Sequence, residues 1–375
     1  MTDVNVVLAG GGSAGHVNPL LATAHALVER GASVRALGTR EGLEATLVPE
    51  AGVPLDLIEK VPFPRRPNMA ALRFPGRYRA AVAQAGRVLD DAQADVAVGF
   101  GGFVSTPLYQ AAKKRGIPVV IHEQNAKAGL ANRYGARFAA AVGLTFPSTK
   151  LTARRGVTEC VGLPLRPAIA ELASTREKDA RAVRVAAAAR LGLDPEKTTL
   201  VVTGGSLGAQ RLNEVLVASL NKLEGVQVLH LTGKNKDAPV LAATASLPDY
   251  HVLAYLTTME DAYAVADLVL CRSGAGTVAE LSALGLPGFF VPLPIGNGEQ
   301  EFNASDVVSA GGAELVRDKD FTPEVFASKV IPLLHDSARL TSMGQAARGV
   351  SPVDAADRLA HLVLQATTRQ GRKTK

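Results

Sequence analysis

The sequence predicts an α/β protein built from two doubly wound parallel sheets, and three observations carry that prediction. Apolar runs of strand length alternate with Ala/Leu-rich stretches of helical period, as where Val4 to Ala9 precedes Leu20 to Arg30; this is the pattern of a parallel sheet with crossover helices. A glycine turn, Gly10-Gly11-Gly12-Ser13-Ala14-Gly15-His16, joins that first run to its helix. The same unit returns in the second half, where Thr199 to Thr203 leads into Gly204-Gly205-Ser206-Leu207-Gly208-Ala209, a repeat of one supersecondary unit and not a solenoid period. A length of 375 residues agrees with about two domains.

In the first half the strand-like runs are Val4 to Ala9, Ser33 to Leu37, Val96 to Gly99, Val119 to Ile121 and Ala140 to Leu144. Ligands of such sheets bind outside the carboxyl ends of the strands. There the turn Gly10 to His16 lets backbone N–H groups approach an anion and aims a helix N-terminus at it. Asn18 and Pro19 read as the N-cap and first turn of that helix. The same letters also fit a dinucleotide loop. However, Gly38-Thr39-Arg40 after the second strand holds no acid until Glu41, which disfavours NAD and leaves NADP through Arg40. A second glycine turn, Phe100-Gly101-Gly102-Phe103-Val104-Ser105, follows the strand Val96 to Gly99, and two such turns on one sheet suit a diphosphate. His122-Glu123-Gln124-Asn125 then sets four polar side chains where a strand meets the crevice. His122 and Glu123 could equally satisfy buried backbone groups.

Between the second and third of these runs, Val61 to Ala83 interleaves Phe63, Met69, Leu72, Phe74 and Tyr78 with Arg65, Arg66, Arg73, Arg77 and Arg79, without an acid. Near an anionic leaflet each basic residue contributes about 1 kcal/mol, so the segment reads equally as a membrane-adsorbing surface and as a solvated helix face. Cys160-Val161-Gly162-Leu163-Pro164-Leu165-Arg166-Pro167 reads as an interdomain linker. A charged stretch, Glu171 to Arg184, and an Ala-rich one follow, with Gly192 as helix C-cap.

In the second half, strand-like runs recur at Val226 to Leu231, Val252 to Leu256, Leu268 to Cys271 and Gly288 to Val291. Arg272-Ser273-Gly274-Ala275-Gly276 turns into a helix carrying Glu280, which suits a diphosphate at the helix N-terminus and a ribose diol on the acid. The loop Asn297 to Asn303 gathers amides and carboxylates suited to a sugar. Asp318-Lys319-Asp320 reads as solvated surface. The chain has Cys160 and Cys271 alone, read as buried reduced thiols; zinc-type spacing is absent. The net charge of +6 suits anionic ligands but is too diffuse to indicate nucleic acid. Lacking a basic leader or an apolar run of spanning length, the chain is expected in the cytoplasm.

Taken together, GGGSAGHVNPLLA, FGGFVS, IHEQN, VGLPLR, GGSLGAQRLNE, RSGAGTVAEL and EQEFNA resemble the motifs of the MurG family, in that family's order and spacing over nearly the whole chain. These are the UDP-N-acetylglucosamine transferases of peptidoglycan synthesis, inverting enzymes of the GT-B fold. The resemblance implies an acceptor and membrane-associating domain over 1–162, completed by a C-terminal helix over 352–367. It places a UDP-N-acetylglucosamine domain at 163–350 and leaves 368–375 as a frayed tail, with the two domains facing across a cleft. Carried over to this chain, it implies that Ser13, Gly15, His16, Gly101, Gly102 and Asn125 serve the acceptor lipid I or the reacting centre. Arg166, Ser206, Leu256, Glu280, Gln300 and Asn303 would bind the donor, and Phe63 to Tyr78 would meet an anionic membrane on its cytoplasmic face, with further cell-wall partners. The chain departs from the family's usual letters at Ser13, Leu207, Gln210, Asn297 and Glu299.

The implied reaction moves N-acetylglucosamine from UDP to the 4-hydroxyl of the muramyl sugar of lipid I, giving lipid II. His16 is the expected general base, because Ala209 occupies its place in the second glycine turn and the turn therefore does not require histidine. No obligatory metal is expected, since helix N-termini and Arg166 stand where other transferases use a metal, with magnesium as an optional aid at the lipid diphosphate. Rival expectations are another GT-B transferase, a sugar-nucleotide epimerase and an NADP-dependent reductase.

Overall fold

Every strand of both sheets is parallel to its neighbours. The computed structural model describes residues 4–64, 69–205, 208–294 and 298–371, so the predicted site members Arg65, Arg66 and Ser206, and Asn297, lie outside the described residues. The chain divides into two compact units, one formed by 1–166 with 354–375 and the other by 167–353.

The first unit holds β1 (Asn5–Ala9), β2 (Ser33–Gly38), β3 (Leu55–Leu57), β4 (Val96–Gly99), β5 (Val119–Glu123), β6 (Ala141–Leu144) and β7 (Val157–Cys160). Their spatial order is β3-β2-β1-β4-β5-β6-β7. The central strands β4, β5 and β6 are buried along their whole length, as expected where helices cover both faces and apolar residues run without alternation. One face packs on α1 (Ala14–Val28) and the closing helix Ala355–Gly371, through Leu20, Leu27, Leu359 and Val363. The other face packs on α3 (Met69–Asp91) and α4 (Ser105–Arg115), through Ala81, Leu89, Leu108 and Tyr109. A short α2 (Glu44–Glu50) follows β2, and α5 (Leu130–Gly135) follows β5.

The second unit repeats the plan with β8 (Thr199–Thr203), β9 (Gln227–Leu231), β10 (Tyr250–Leu253), β11 (Leu268–Cys271), β12 (Gly288–Phe290) and β13 (Ala313–Leu315), in the order β10-β9-β8-β11-β12-β13. In both sheets the strand order reverses beside the first strand, at β1/β4 and at β8/β11. Crevices at the carboxyl ends of such switch points are where open α/β sheets bind ligands, and all the glycine turns singled out above sit there.

Several expectations change. The first helix begins at Ala14 with extended Ser13 as its N-cap, so Asn18 and Pro19 lie inside it and do not start it. The Ser13 carbonyl accepts the His16 and Val17 N–H groups, each at 3.1 Å, and this closes the glycine turn straight into the helix. The fifth strand runs on through His122 and Glu123, which pair with Gly143 and Leu144; their polarity had hidden the strand end. Leu256 falls beyond β10, in the loop that follows it. Cys160 is exposed while Cys271 is buried, because β7 is an edge strand with solvent beside its last residues. Strands β3, β7 and β13, short and at or next to sheet edges, carry too few apolar residues to be read from the sequence. The charged stretch forms α6 (Pro167–Leu191), two helical segments joined by a kink at Asp179; the second is held down by Arg184 on Asp267 at 2.8 Å and Arg190 on Asp261 at 2.6 Å, and Gly192 ends it at φ +68°.

Candidate active site in two glycine-turn crevices

In the first unit the turns after β1 and β4 are stacked on one another. A Cβ added to Gly102 would lie 2.7 Å from the Gly11 carbonyl oxygen, and one added to Gly101 would lie 3.1 Å from His16 Nε2. Gly101 and Gly102 have left-handed backbones, at φ +94° and +81° respectively, so the close approach and the turn each require glycine. Ser105 pins the second turn, its hydroxyl accepting from the Gly101 N–H at 3.0 Å and lying 2.7 Å from the Gly101 carbonyl.

His16 stands half-buried in the first turn of α1. Its Nδ1 is 3.0 Å from the Gly11 carbonyl and 3.3 Å from Ser13 Oγ. A carbonyl can only accept, so Nδ1 carries the proton and Nε2, on the Gly101 side, is the free base. Burial lowers the His16 pKa below 6.5, against the opposing pull of the Gly11 carbonyl and of Glu44. The neutral imidazole a general base needs is therefore the form present at neutral pH.

The polar strand end after β5 is divided in its use. His122 is fully buried, donates from Nε2 to the Gly162 carbonyl at 2.9 Å and accepts at Nδ1 from Gln124 at 3.1 Å. Glu123 accepts from the N–H groups of Asn125 and Gly129, each at 3.0 Å, and from the Asn132 amide at 2.9 Å. These two residues fold the loop, whereas Asn125 is half-buried at its rim. Gln124 Oε1 and Thr145 Oγ1 are buried with no hydrogen-bond partner among the described residues, at the carboxyl ends of adjacent strands.

Burial holds His122 and, in the second unit, His230 at about 4. Their folded pKa lies below the unfolded value near 6.5, so the unfolded chain binds more protons between those limits. The stability they contribute is complete above pH 6.5 and is lost as pH falls towards 4, by up to about 3 kcal/mol each. Urea midpoints measured from pH 7 to 4.5 should therefore fall steadily, and a flat profile would exclude the effect.

In the second unit Gly205 and Gly208 adopt φ +76° and +64°, and the Gly208 N–H closes the turn onto the Gly205 carbonyl at 2.9 Å. Glu280 lies on the helix Ala275–Leu284, half-buried, and accepts from the Tyr263 hydroxyl at 3.0 Å. Gln300, on the short helix Glu299–Asn303, accepts the Leu293 N–H at 2.9 Å, and buried Asn303 reaches the Ser273 carbonyl at 3.4 Å. Asp318 is not solvated surface; it forms an ion pair with Arg272, whose guanidinium also donates to the Val291 carbonyl at 2.9 Å. That pairing fixes the turn after β11, because a buried guanidinium needs a carboxylate. Arg166, half-buried, is the last residue of the first unit.

A cavity of about 710 Å³ opens elsewhere, beside Thr198, Asp267 and Pro287 at the amino ends of β8, β11 and β12. It lies at the opposite end of the strands from the glycine turns and takes no part in this site. Sequence reasoning missed Glu44, Ser105, Tyr109, Asn132 and Arg272, all buried polar groups that act through other residues. The glycines around Glu44, at 38 and 42, were the one signal available.

Residues 6–144 match the model of the glycosyltransferase family 28 N-terminal domain, and 199–359 match that of the family 28 C-terminal domain. A relative in Bifidobacterium adolescentis is 51% identical, covering 96% of this chain and 97% of its own. It is named UDP-N-acetylglucosamine--N-acetylmuramyl-(pentapeptide) pyrophosphoryl-undecaprenol N-acetylglucosamine transferase. A relative of the same name in Nocardioides is 52% identical, over 96% of this chain and 98% of its own. The crystal structure of Acinetobacter baumannii MurG superposes with a TM-score of 0.79 at 31% identity, over 96% of this chain and 99% of that one.

Proposed function

Since the chain belongs to glycosyltransferase family 28 in both of its halves, we infer that it transfers N-acetylglucosamine from UDP-N-acetylglucosamine to lipid I, forming lipid II and UDP. Near-full-length identity to relatives named for that reaction carries the reading. Membership sets the reductase alternative aside. The test is transfer of labelled N-acetylglucosamine from its UDP donor to a short-chain lipid I analogue, run with and without chelator. Release of free sugar without lipid product would overturn it, and loss of donor binding on chelation would overturn a metal-free donor site.

The mechanism proposed is a single displacement. Nε2 of His16 takes the proton of the muramyl 4-hydroxyl as that oxygen bonds to C1 of the sugar. The bond from C1 to the diphosphate breaks, and UDP leaves with the electron pair. Ser13, Gly15, Gly101, Gly102 and Asn125 would receive the acceptor. On the leaving side, Arg166, Ser206 and the N-terminus of the helix Ala275–Leu284 would meet the growing diphosphate charge. Glu280 would accept from the ribose hydroxyls, Leu256 would meet the uracil, and Gln300 and Asn303 would lie at the sugar.

A membrane surface is proposed for part of the basic apolar segment only. Phe63, Met69 and Leu72 are 68%, 63% and 75% exposed, and Arg73, next to Leu72 in the chain, is exposed as well. Phe74 and Tyr78 are half-buried and also pack against the core, and exposed Arg77 is paired with Glu59 at 2.6 Å, so these three would contribute less to that surface. No described helix is long and apolar enough to cross a membrane. Replacing Phe63 and Leu72 together with serine is expected to weaken binding to phosphatidylglycerol vesicles roughly tenfold or more, measured by co-sedimentation. Unchanged binding would remove this surface.

A further inference from the structure

Three glycines make room for one carboxylate. A Cβ on Gly11 would lie 2.4 Å from Glu44 Oε1, one on Gly42 would lie 1.9 Å from Oε2, and one on Gly38 would lie 2.6 Å from Cγ. Glu44 is 1% exposed, and among the described residues no lysine or arginine pairs with it. Its Oε1 accepts the Thr39 N–H at 2.9 Å and hydroxyl at 2.8 Å, and its Oε2 accepts the Gly12 N–H at 2.8 Å. Burial pushes this carboxyl up, but those hydrogen bonds outweigh it and hold it below the usual range. A charge is thus kept ionised inside the first crevice.

The Gly12 N–H and the Gly11 carbonyl are the two ends of one planar peptide unit. One end donates to Glu44 Oε2, and the other accepts from His16 Nδ1 at 3.0 Å. We propose that Glu44 is a positioning residue for the transfer step, holding and polarising the Gly11–Gly12 peptide so that its carbonyl orients His16 and stabilises the imidazolium formed as Nε2 takes the acceptor proton. Hydrogen bonds linked in such a chain strengthen one another, and the carboxylate acts on the histidine across a peptide instead of by touching it. The proposal rests on the reading of His16 as base. Glu44, from α2, is the one charged group that acts on His16 in the described structure. The other neighbours, Ser13 on its own turn, Gly101 on the second turn and the nearby Asn132 amide of α5, do not titrate in this range.

The experiment compares the full-length wild type, Glu44→Gln and His16→Ala by the pH dependence of kcat and by KM for UDP-N-acetylglucosamine. In Glu44→Gln the plateau kcat should fall about tenfold and the acid limb should move to lower pH, because removing the negative charge weakens the base. The donor KM should stay unchanged. A fall in kcat with the limb in its wild-type place would make Glu44 a purely structural tie and overturn the proposal, as would an unchanged enzyme. If His16→Ala keeps the wild-type limb, the base assignment itself fails, which is a separate result. A measurement on the wild type covers a Glu44→Gln chain that does not fold. The Gly12 amide proton shift, followed by nuclear magnetic resonance, should titrate with His16 in the wild type and lose that step in His16→Ala. A Gly12 shift that ignores the His16 titration would also overturn the proposal.

Discussion

Replacing His16 with alanine is expected to lower turnover about 10²- to 10⁴-fold, the range for loss of general-base assistance, with little change in the donor KM. The fold supports a clean result. His16 is half-buried, its bonds are to its own turn at Gly11 and Ser13, and the matching turn of the second unit carries Ala209 at that place. Because burial lowers its pKa below 6.5, the wild-type rate should hold at neutral pH and fall only as acidity charges the imidazole. Steady-state kinetics with a short-chain lipid I analogue decide the matter, and near-normal turnover in the variant would remove His16 from the reaction.

A second large effect is expected from Gly102→Ala. The added methyl meets the Gly11 carbonyl oxygen at 2.7 Å, and the backbone sits at φ +81°, so strain and collision together should cost about 2–3 kcal/mol. The collision falls on the carbonyl that holds His16 Nδ1, and displacement of a reacting group by about 1 Å can cost 10²-fold in rate. Gly15→Ala is the control for stability. Gly15 is helical and its added methyl would have only Ser13 Oγ nearby, at 3.8 Å, so the change should be neutral or stabilising by up to about 1 kcal/mol. Thermal unfolding of the two variants should separate them, and equal midpoints would show that the turns can part without strain.

The sheets were legible because buried parallel strands are written as unbroken apolar runs; β4, β8 and β11 fall where Val96 to Gly99, Thr199 to Thr203 and Leu268 to Cys271 predicted them. The crevices were legible because a strand, a glycine turn and a helix occur in that order. What stayed hidden has a common cause: a residue's partner is set by the fold and leaves no local mark. Glu44 looks like one acid among several, and only the packing of β2 against β1 brings it to Gly12. Arg77 reads as a free cation until the turn of chain puts Glu59 beside it, and Asp318 reads as solvated until β11 presents Arg272. Cys160 misled for the opposite reason, since an apolar run does not say whether its strand will be an edge.

The closing helix Ala355–Gly371 fills one face of the first sheet with Leu359, Leu362 and Val363, while the second unit is continuous from 167 to 353. On the ribosome, therefore, the unit begun first is completed last. The second unit has its whole core in hand while the face of β4, β5 and β6 that receives the closing helix still lacks its cover. Until the last helix emerges, that apolar face is left without Leu359, Leu362 and Val363, and exposed apolar surface of this kind is what chaperones hold.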